Sequence, residues 1–243
     1  MKTIKLFLIF TGFLFFNSCN QEESQIQPVD DLTDQIGYWH NVAVASVFDN
    51  PVFTAALKAE TLSSSAVRDM IMIELSKKDA RLFDYETIRT ELDWSDRILE
   101  EKEILNQPTS AYLRKKESPS VNFEAIFKYL HQTNVIGEGL AEKFIQLNKK
   151  VMLNEVSRQE IIKLCQQIEN LPLSGRERSY VKVFNQVLRA SDNYWGHAHA
   201  KIQSDRTVGI IWADAAGGLY GMLCGPVCSI IEAAMFSTLV AIQ

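Results

Sequence analysis

Trp195-Gly196-His197-Ala198-His199 places two imidazoles two residues apart, a spacing that would let them share a metal ion on an extended segment. On a helix the two rings would point to nearly opposite sides. No cysteine or carboxylate pattern nearby completes a coordination shell, so the segment reads as a solvated or interhelical histidine pair. His40, within Ile36-Gly37-Tyr38-Trp39-His40-Asn41, lies on or beside the apolar stripe Ile36, Ala43, Val47. It is expected to be a hydrogen-bonded histidine of a packed helix rather than a catalytic base. The run Leu99-Glu100-Glu101-Lys102-Glu103 holds carboxylates that could do acid–base work, but it reads more simply as a solvated helix face. The chain has no Gly-rich phosphate loop, no Gly-x-Ser-x-Gly elbow and no His-Glu-x-x-His helix. The expectation is a non-enzymatic protein with no catalytic residue, no metal site and no cofactor.

Four cysteines remain to be placed. The first, Cys19, follows Met1-Lys2-Thr3-Ile4-Lys5, an apolar run of eleven residues from Leu6 to Phe16, and Asn17-Ser18. This is the layout of a secretory signal. The run falls well short of the ~20 residues that a bilayer-crossing helix needs. Phe16-Asn17-Ser18-Cys19 resembles the lipobox of bacterial lipoproteins, with Phe16 in place of the usual leucine. The resemblance implies cleavage before Cys19 and lipidation of its thiol, and more than one acyl chain makes such an anchor stable. The alternative is an ordinary signal peptide containing a cysteine. The polar stretch from Asn20 to Pro28 then reads as a tether. Cys165, Cys224 and Cys228 are odd in number. A Cys224–Cys228 disulfide is one option, although a helical i, i+4 pair sits near the geometric limit for bridging. Buried thiols that act as small hydrophobes are the other.

The elements that carry these residues are helical throughout. Leu140, Phe144, Leu147 and Val151 recur at steps of four and three, and Ser157-Arg158-Gln159-Glu160 is a capping box ahead of Ile161, Leu164, Cys165 and Ile168. Similar patterns predict helices near 32–48, 52–60, 64–78, 86–105, 121–133 and 174–192, with breaks at Asp49-Asn50-Pro51, Asn106-Gln107-Pro108, Ser118-Pro119, Gly137 and Leu171-Pro172. The fold class is all-α, an irregular helical bundle.

Residues 207–243 are different. They hold no basic residue and two acids, Asp214 and Glu232, whereas residues 20–206 hold 23 basic and 28 acidic ones. Every fourth residue is small: Gly209, Ala213, Gly217, Gly221, Gly225, Ser229, Ala233, Ser237 and Ala241. Such a ridge lets helices approach backbone to backbone. Gly225-Pro226 breaks the rod, which predicts two helices, near 208–224 and 227–242, folded as a hairpin; a single kinked helix is the alternative. The uncharged window Ala215 to Ile231 is 17 residues, about 26 Å as a helix, at the bottom of the membrane-spanning range. Holding Asp214 or Glu232 in hydrocarbon would cost roughly 3 kcal/mol each. The chain therefore divides into a leader (1–18), a lipidated tether (19–30), a helical body (31–206) and an apolar hairpin (207–243).

The net charge of −5 includes Lys2 and Lys5, and the chain without its leader is near −7. Its densest basic run is Arg114-Lys115-Lys116, so nucleic acid is not an expected partner. The leader, Ile36-Gly37-Tyr38-Trp39-His40-Asn41, Ser191-Asp192-Asn193-Tyr194-Trp195, and Ala213-Asp214-Ala215-Ala216-Gly217-Gly218 opening a Gly-zipper-like end together resemble a group of uncharacterised Bacteroidetes lipoproteins. Glu22-Glu23 after the cysteine also resembles the surface-export signal of that phylum. The resemblance implies an outer-membrane or cell-surface protein anchored through Cys19. The tail is expected to pack as a hairpin, either buried against the body or engaged in self-association or with a protein partner. A membrane-active role for the tail, pore-forming or bacteriocin-like, is the alternative.

Overall fold

A computed structural model describes residues 29–106, 108–109, 121–198 and 204–242. The leader, Cys19, the tether up to Pro28, and His199 lie outside them. Among the described residues ten α-helices follow in order: α1 (Val29–Phe48), α2 (Pro51–Lys58), α3 (Ser64–Lys78), α4 (Tyr85–Glu101), α5 (Phe123–Gln132), α6 (Glu138–Met152), α7 (Arg158–Glu169), α8 (Gly175–Asn193), α9 (Ser204–Gly221) and α10 (Pro226–Ala241). A single π-helical turn, Tyr194–Ala198, extends α8. The fold is an all-α irregular bundle, with an isolated antiparallel bridge between Leu105 and Val121.

Local chemistry explains most of the boundaries. Asn50, Ser63, Asp84 and Asn122 each accept a backbone N–H in the first turn of the helix they precede. Ser157/Glu160 forms the expected capping box, and Ser174/Glu177 forms a second that opens α8. Glu177 also accepts the backbone N–H of Gly137 at 2.9 Å, tying the start of α8 to the start of α6. Helix α4 stops at Glu101, short of the expected 105, because Glu103 takes φ 53° and Leu105 turns away to meet Val121. Helix α9 likewise stops at Gly221, since Met222–Cys224 unwinds into a turn that closes at Gly225 with φ +110°. That left-handed conformation suits glycine, and Pro226 then takes the first position of α10, where its missing N–H is harmless.

The tail is the centre of the bundle. Every residue from 210 to 221 and from 228 to 239 is buried. Helix α9 packs against α8, α5, α6 and α7, and α10 packs against α1, α3 and α4, while the two helices pack most closely on each other. A helix enclosed on all sides is apolar all round, which accounts for the missing lysines and arginines. The amphipathic helices of the body turn their stripes inward onto it, and 31–206 and 207–243 share one hydrophobic core. On the α9 side that core is an aromatic cluster: Trp212 meets Phe127 at 5.8 Å and Phe184 at 5.4 Å, and Phe144 packs on both phenylalanines. The Trp212 indole N–H donates to Asn148 Oδ1 at 2.9 Å.

The small-residue ridge makes close contact at Gly217 and Gly221 and none at Gly209. A Cβ added to Gly217 would stand 2.6 Å from Glu232 O and 3.0 Å from Ala233 Cα; one on Gly221 would stand 2.5 Å from Cys228 O and 2.6 Å from Ser229 Cα. These are the backbone-to-backbone contacts of the hairpin. Gly209 was expected to join them, but a Cβ there would meet nothing within 4 Å. Gly225 belongs to the turn rather than to the ridge. Ala213, Ser229, Ala233 and Ser237 are buried, and Ala241 is half-buried near the end of α10. Gly218, off the ridge, faces α8 instead, where a Cβ would sit 2.9 Å from Val187 Cγ2.

Candidate functional site

The two acids of the hairpin build the two most polar places in the interior. Asp214 projects from the middle of α9 and is fully buried. Its Oδ1 lies 2.7 Å from His40 Nε2 on α1. Its Oδ2 accepts the Ser191 hydroxyl from α8 and the Trp195 indole N–H, at 3.1 Å, from the π-helical turn. His40 Nδ1 faces Asn41 Oδ1 at 3.0 Å, and the Asn41 amide nitrogen donates to Ala190 O. Both ring nitrogens of His40 therefore meet side-chain oxygens.

Serine, histidine and aspartate meet here, but in the wrong order for nucleophilic catalysis. In a catalytic triad the histidine stands between the serine it deprotonates and the acid that orients it. Here the carboxylate stands between the serine and the histidine, and Ser191 donates to the acid. His40, Ser191 and Asp214 are each 0% exposed. The arrangement is a carboxylate saturated with donors from three helical segments, and its chemistry is that of a clamp.

Glu232 is the counterpart on α10 and is also fully buried. Arg68 of α3 bridges to it, with Nη2 3.1 Å from Oε1, and turns Nη1 onto Asp96 of α4. The Ser95 hydroxyl donates to Glu232 Oε1 at 2.6 Å, and the Tyr220 hydroxyl donates to the Ser95 carbonyl at 3.0 Å. Burial pushes the Glu232 carboxyl above its ordinary value and Asp96 adds to the shift, while Arg68 and the Ser95 hydroxyl oppose it. Burial works against the Arg68 guanidinium, yet the carboxylates of Glu232 and Asp96 outweigh it and hold the group more tightly protonated than usual. The Tyr220 phenol is raised as well, by burial and by Glu232. Each acid of the hairpin is thus matched by one base from the body, His40 on α1 and Arg68 on α3.

His40 was read in the sequence as a hydrogen-bonded core histidine, and it is one. Arg68, Ser95, Ser191 and Trp195 were not singled out as partners of the acids. The signal for two of them was there: Arg68 stands on the buried face of α3 with Val67, Ile71, Met72 and Leu75, and Ser95 stands on that of α4 with Ile88, Leu92 and Leu99. A charge or hydroxyl inside an apolar stripe needs a buried partner. Gly37 is a further residue of this kind, since a Cβ there would sit 2.8 Å from Ala190 Cβ and 2.9 Å from Gln186 O, where α1 crosses α8.

Of the other candidates, His197 falls on the π-helical turn, and its side chain, like all of His199 and Cys19, lies outside the described residues. No group of three or more His, Cys, Asp or Glu among the described residues is placed to hold a metal ion. Cys165, Cys224 and Cys228 are free thiols; burial, with Glu169 adding, pushes the Cys165 thiol up to about 12. Outside the core, Lys143, Leu147 and Lys150 of α6, Leu164 and Ile168 of α7, and Leu171 just after α7 line an open groove of about 330 Å³. Among the described residues no helix is long and apolar enough to cross a membrane. Comparison with protein families, with curated proteins and with solved structures finds no match to the chain.

Proposed function

We propose that the protein is a cell-envelope lipoprotein, anchored at the outer membrane or cell surface through a lipid on Cys19, and that it acts as a non-enzymatic structural or interaction protein. The C-terminal hairpin serves as the spine of its fold. The observation that carries this reading is that the hairpin already has its partner: residues 210–221 and 228–239 of its two arms are all buried, and each of its acids is paired with a basic side chain of the same chain. Moving the hairpin into hydrocarbon would give up both pairs and cost about 3 kcal/mol more for each acid left there. On this reading the lipid supplies the membrane attachment, and the exposed faces of the body meet whatever the protein binds.

The membrane-active reading, pore-forming or bacteriocin-like, has one observation in its favour. The contacts of Gly217 and Gly221 lie within the hairpin, so the pair could leave its sheath as a unit and keep them. Vesicle flotation and dye release with the lipid-free chain separate the two. The expected result is that lipid-free protein stays in the aqueous fraction and releases no dye, whereas the acylated protein floats with the vesicles. Dye release by the lipid-free chain, abolished by Gly217→Leu, would overturn the structural reading and establish the other.

A further inference from the structure

Helices α6 and α7 follow one another in the chain but do not form a closely packed pair: α6 packs on α5 and α9, and α7 packs on α8 and α9. The open groove of about 330 Å³ lies between them. Leu147 and Ile168, both buried, form its floor. Its two walls each repeat after seven residues. Lys143 and Lys150 line it from α6, about 10 Å apart along the helix axis, and Leu164 and Leu171, both half-buried, line it from the other side. None of the lining residues is acidic, and among the described residues neither lysine takes part in an ion pair. Apolar surface continues past Lys150, where Met152 and Leu153 are 60% and 66% exposed. An exposed apolar strip with a polar rim marks an interaction surface.

We propose that the α6–α7 groove docks an acidic amphipathic helix of a partner protein. An amphipathic helix lays its apolar face into a groove of this kind, and charges that recur every seventh residue beside the seam select its partner. Here Leu147, Leu164, Ile168 and Leu171 supply the seam, and Lys143 and Lys150 supply the recurring charge. The helix that complements them carries apolar side chains at steps of three and four, with carboxylates seven residues apart on the side that faces α6. A basic helix of the same pattern meets like charge at both lysines and is turned away. On a chain whose net charge is −5, a wall of two uncompensated lysines sets this face apart. The groove gives the interaction role proposed above its docking surface and rests on that reading, but not on the lipid anchor, so its failure would leave the vesicle-flotation result standing.

The test uses the lipid-free chain, with near-UV circular dichroism confirming the fold of each variant, and a pair of hydrocarbon-stapled helical peptides. The peptides share a leucine seam and carry either glutamate or lysine at the flanking heptad positions. Fluorescence anisotropy reads affinity, and amide NMR shifts read location. The glutamate peptide is expected to bind with shifts confined to α6, α7 and the turn that joins them. The lysine peptide is expected to bind about tenfold more weakly, the change from attraction to repulsion at two exposed pairs. Lys143→Glu combined with Lys150→Glu should reverse that preference, and Leu164→Gln should weaken both peptides alike. The proposal is overturned if the glutamate peptide does not bind, if the two peptides bind equally, if the double variant keeps the wild-type preference, or if the shifts fall outside the groove. It is also overturned if decanoate, a carboxylate with an apolar chain and no helix, occupies the groove more tightly than the glutamate peptide does.

Discussion

Glu232 is fully enclosed, and its enclosure makes stability depend on pH. For Glu232 burial raises the carboxyl above its ordinary value of 4.5, so the folded chain binds that proton more tightly than the unfolded chain does. The sign follows: stability from this group is fully present in acid and is lost as pH rises through the raised folded value. Glu232→Gln removes the contribution. Urea unfolding across a pH series should show the wild type losing ground to the variant as pH rises above 4.5, by at most about 1.4 kcal/mol per pH unit. A wild type that gained on the variant over that span would refute the sign. Truncating a partner is a different matter, because it strands a buried charge. Arg68→Leu and His40→Leu should each lower stability by about 3–5 kcal/mol at neutral pH, measured in the same unfolding assay. The sequence announced that two acids stood in an apolar segment. It did not announce their partners, because His40 is 174 positions from Asp214 and Arg68 is 164 from Glu232, and only the fold brings them together.

At the scale of the helices, the four-residue ridge is a local pattern and was legible where the contact is local. Gly217 and Gly221 face Ala233 and Ser229 across a hairpin whose arms share one short turn, so spacing along the chain determines spacing in space. The pattern misled at Gly209, where the glycine faces open space and periodicity continues without a contact to sustain it. Stability measurements should separate the two classes. Gly209→Ala removes a flexible residue from the interior of α9 and should add up to ~1 kcal/mol. Gly217→Ala and Gly221→Ala drive a methyl against backbone oxygens and should each cost about 1–3 kcal/mol. Equal effects at all three positions would mean that the ridge does not pack as described. The helices and caps of the body were readable for the same reason: Ser157/Glu160 and Asn50-Pro51 act within one turn. The π-helical turn that aims Trp195 at Asp214 was not, since what sustains it is a tertiary contact.

At the scale of the molecule, the change in composition at residue 207 marks a change in exposure. Charge vanishes there because the segment goes to the centre, and the apolar stripes of α1, α3, α4, α5, α6 and α8 exist to face it. The helical body is therefore not a unit that could stand without the hairpin: Ile36, Val67, Phe127 and Phe184 all belong to the core that the hairpin shares. A chain ending at Arg206 should keep much of its helix by far-UV circular dichroism, because caps and amphipathic pattern are local. It should lose near-UV signal, bind the dye ANS and melt without a cooperative transition, which are the marks of a collapsed but unpacked state. A truncated chain that retains a cooperative melt and near-UV bands would instead make the hairpin an appendage. The full-length and truncated chains thus test whether the last residues of the chain are the first requirement of its fold. The buried pairs suggest why that arrangement is specific as well as stable. Asp214 must find His40 and Glu232 must find Arg68, and rotating or sliding the hairpin within its sheath would leave both acids and both basic side chains buried and unmatched.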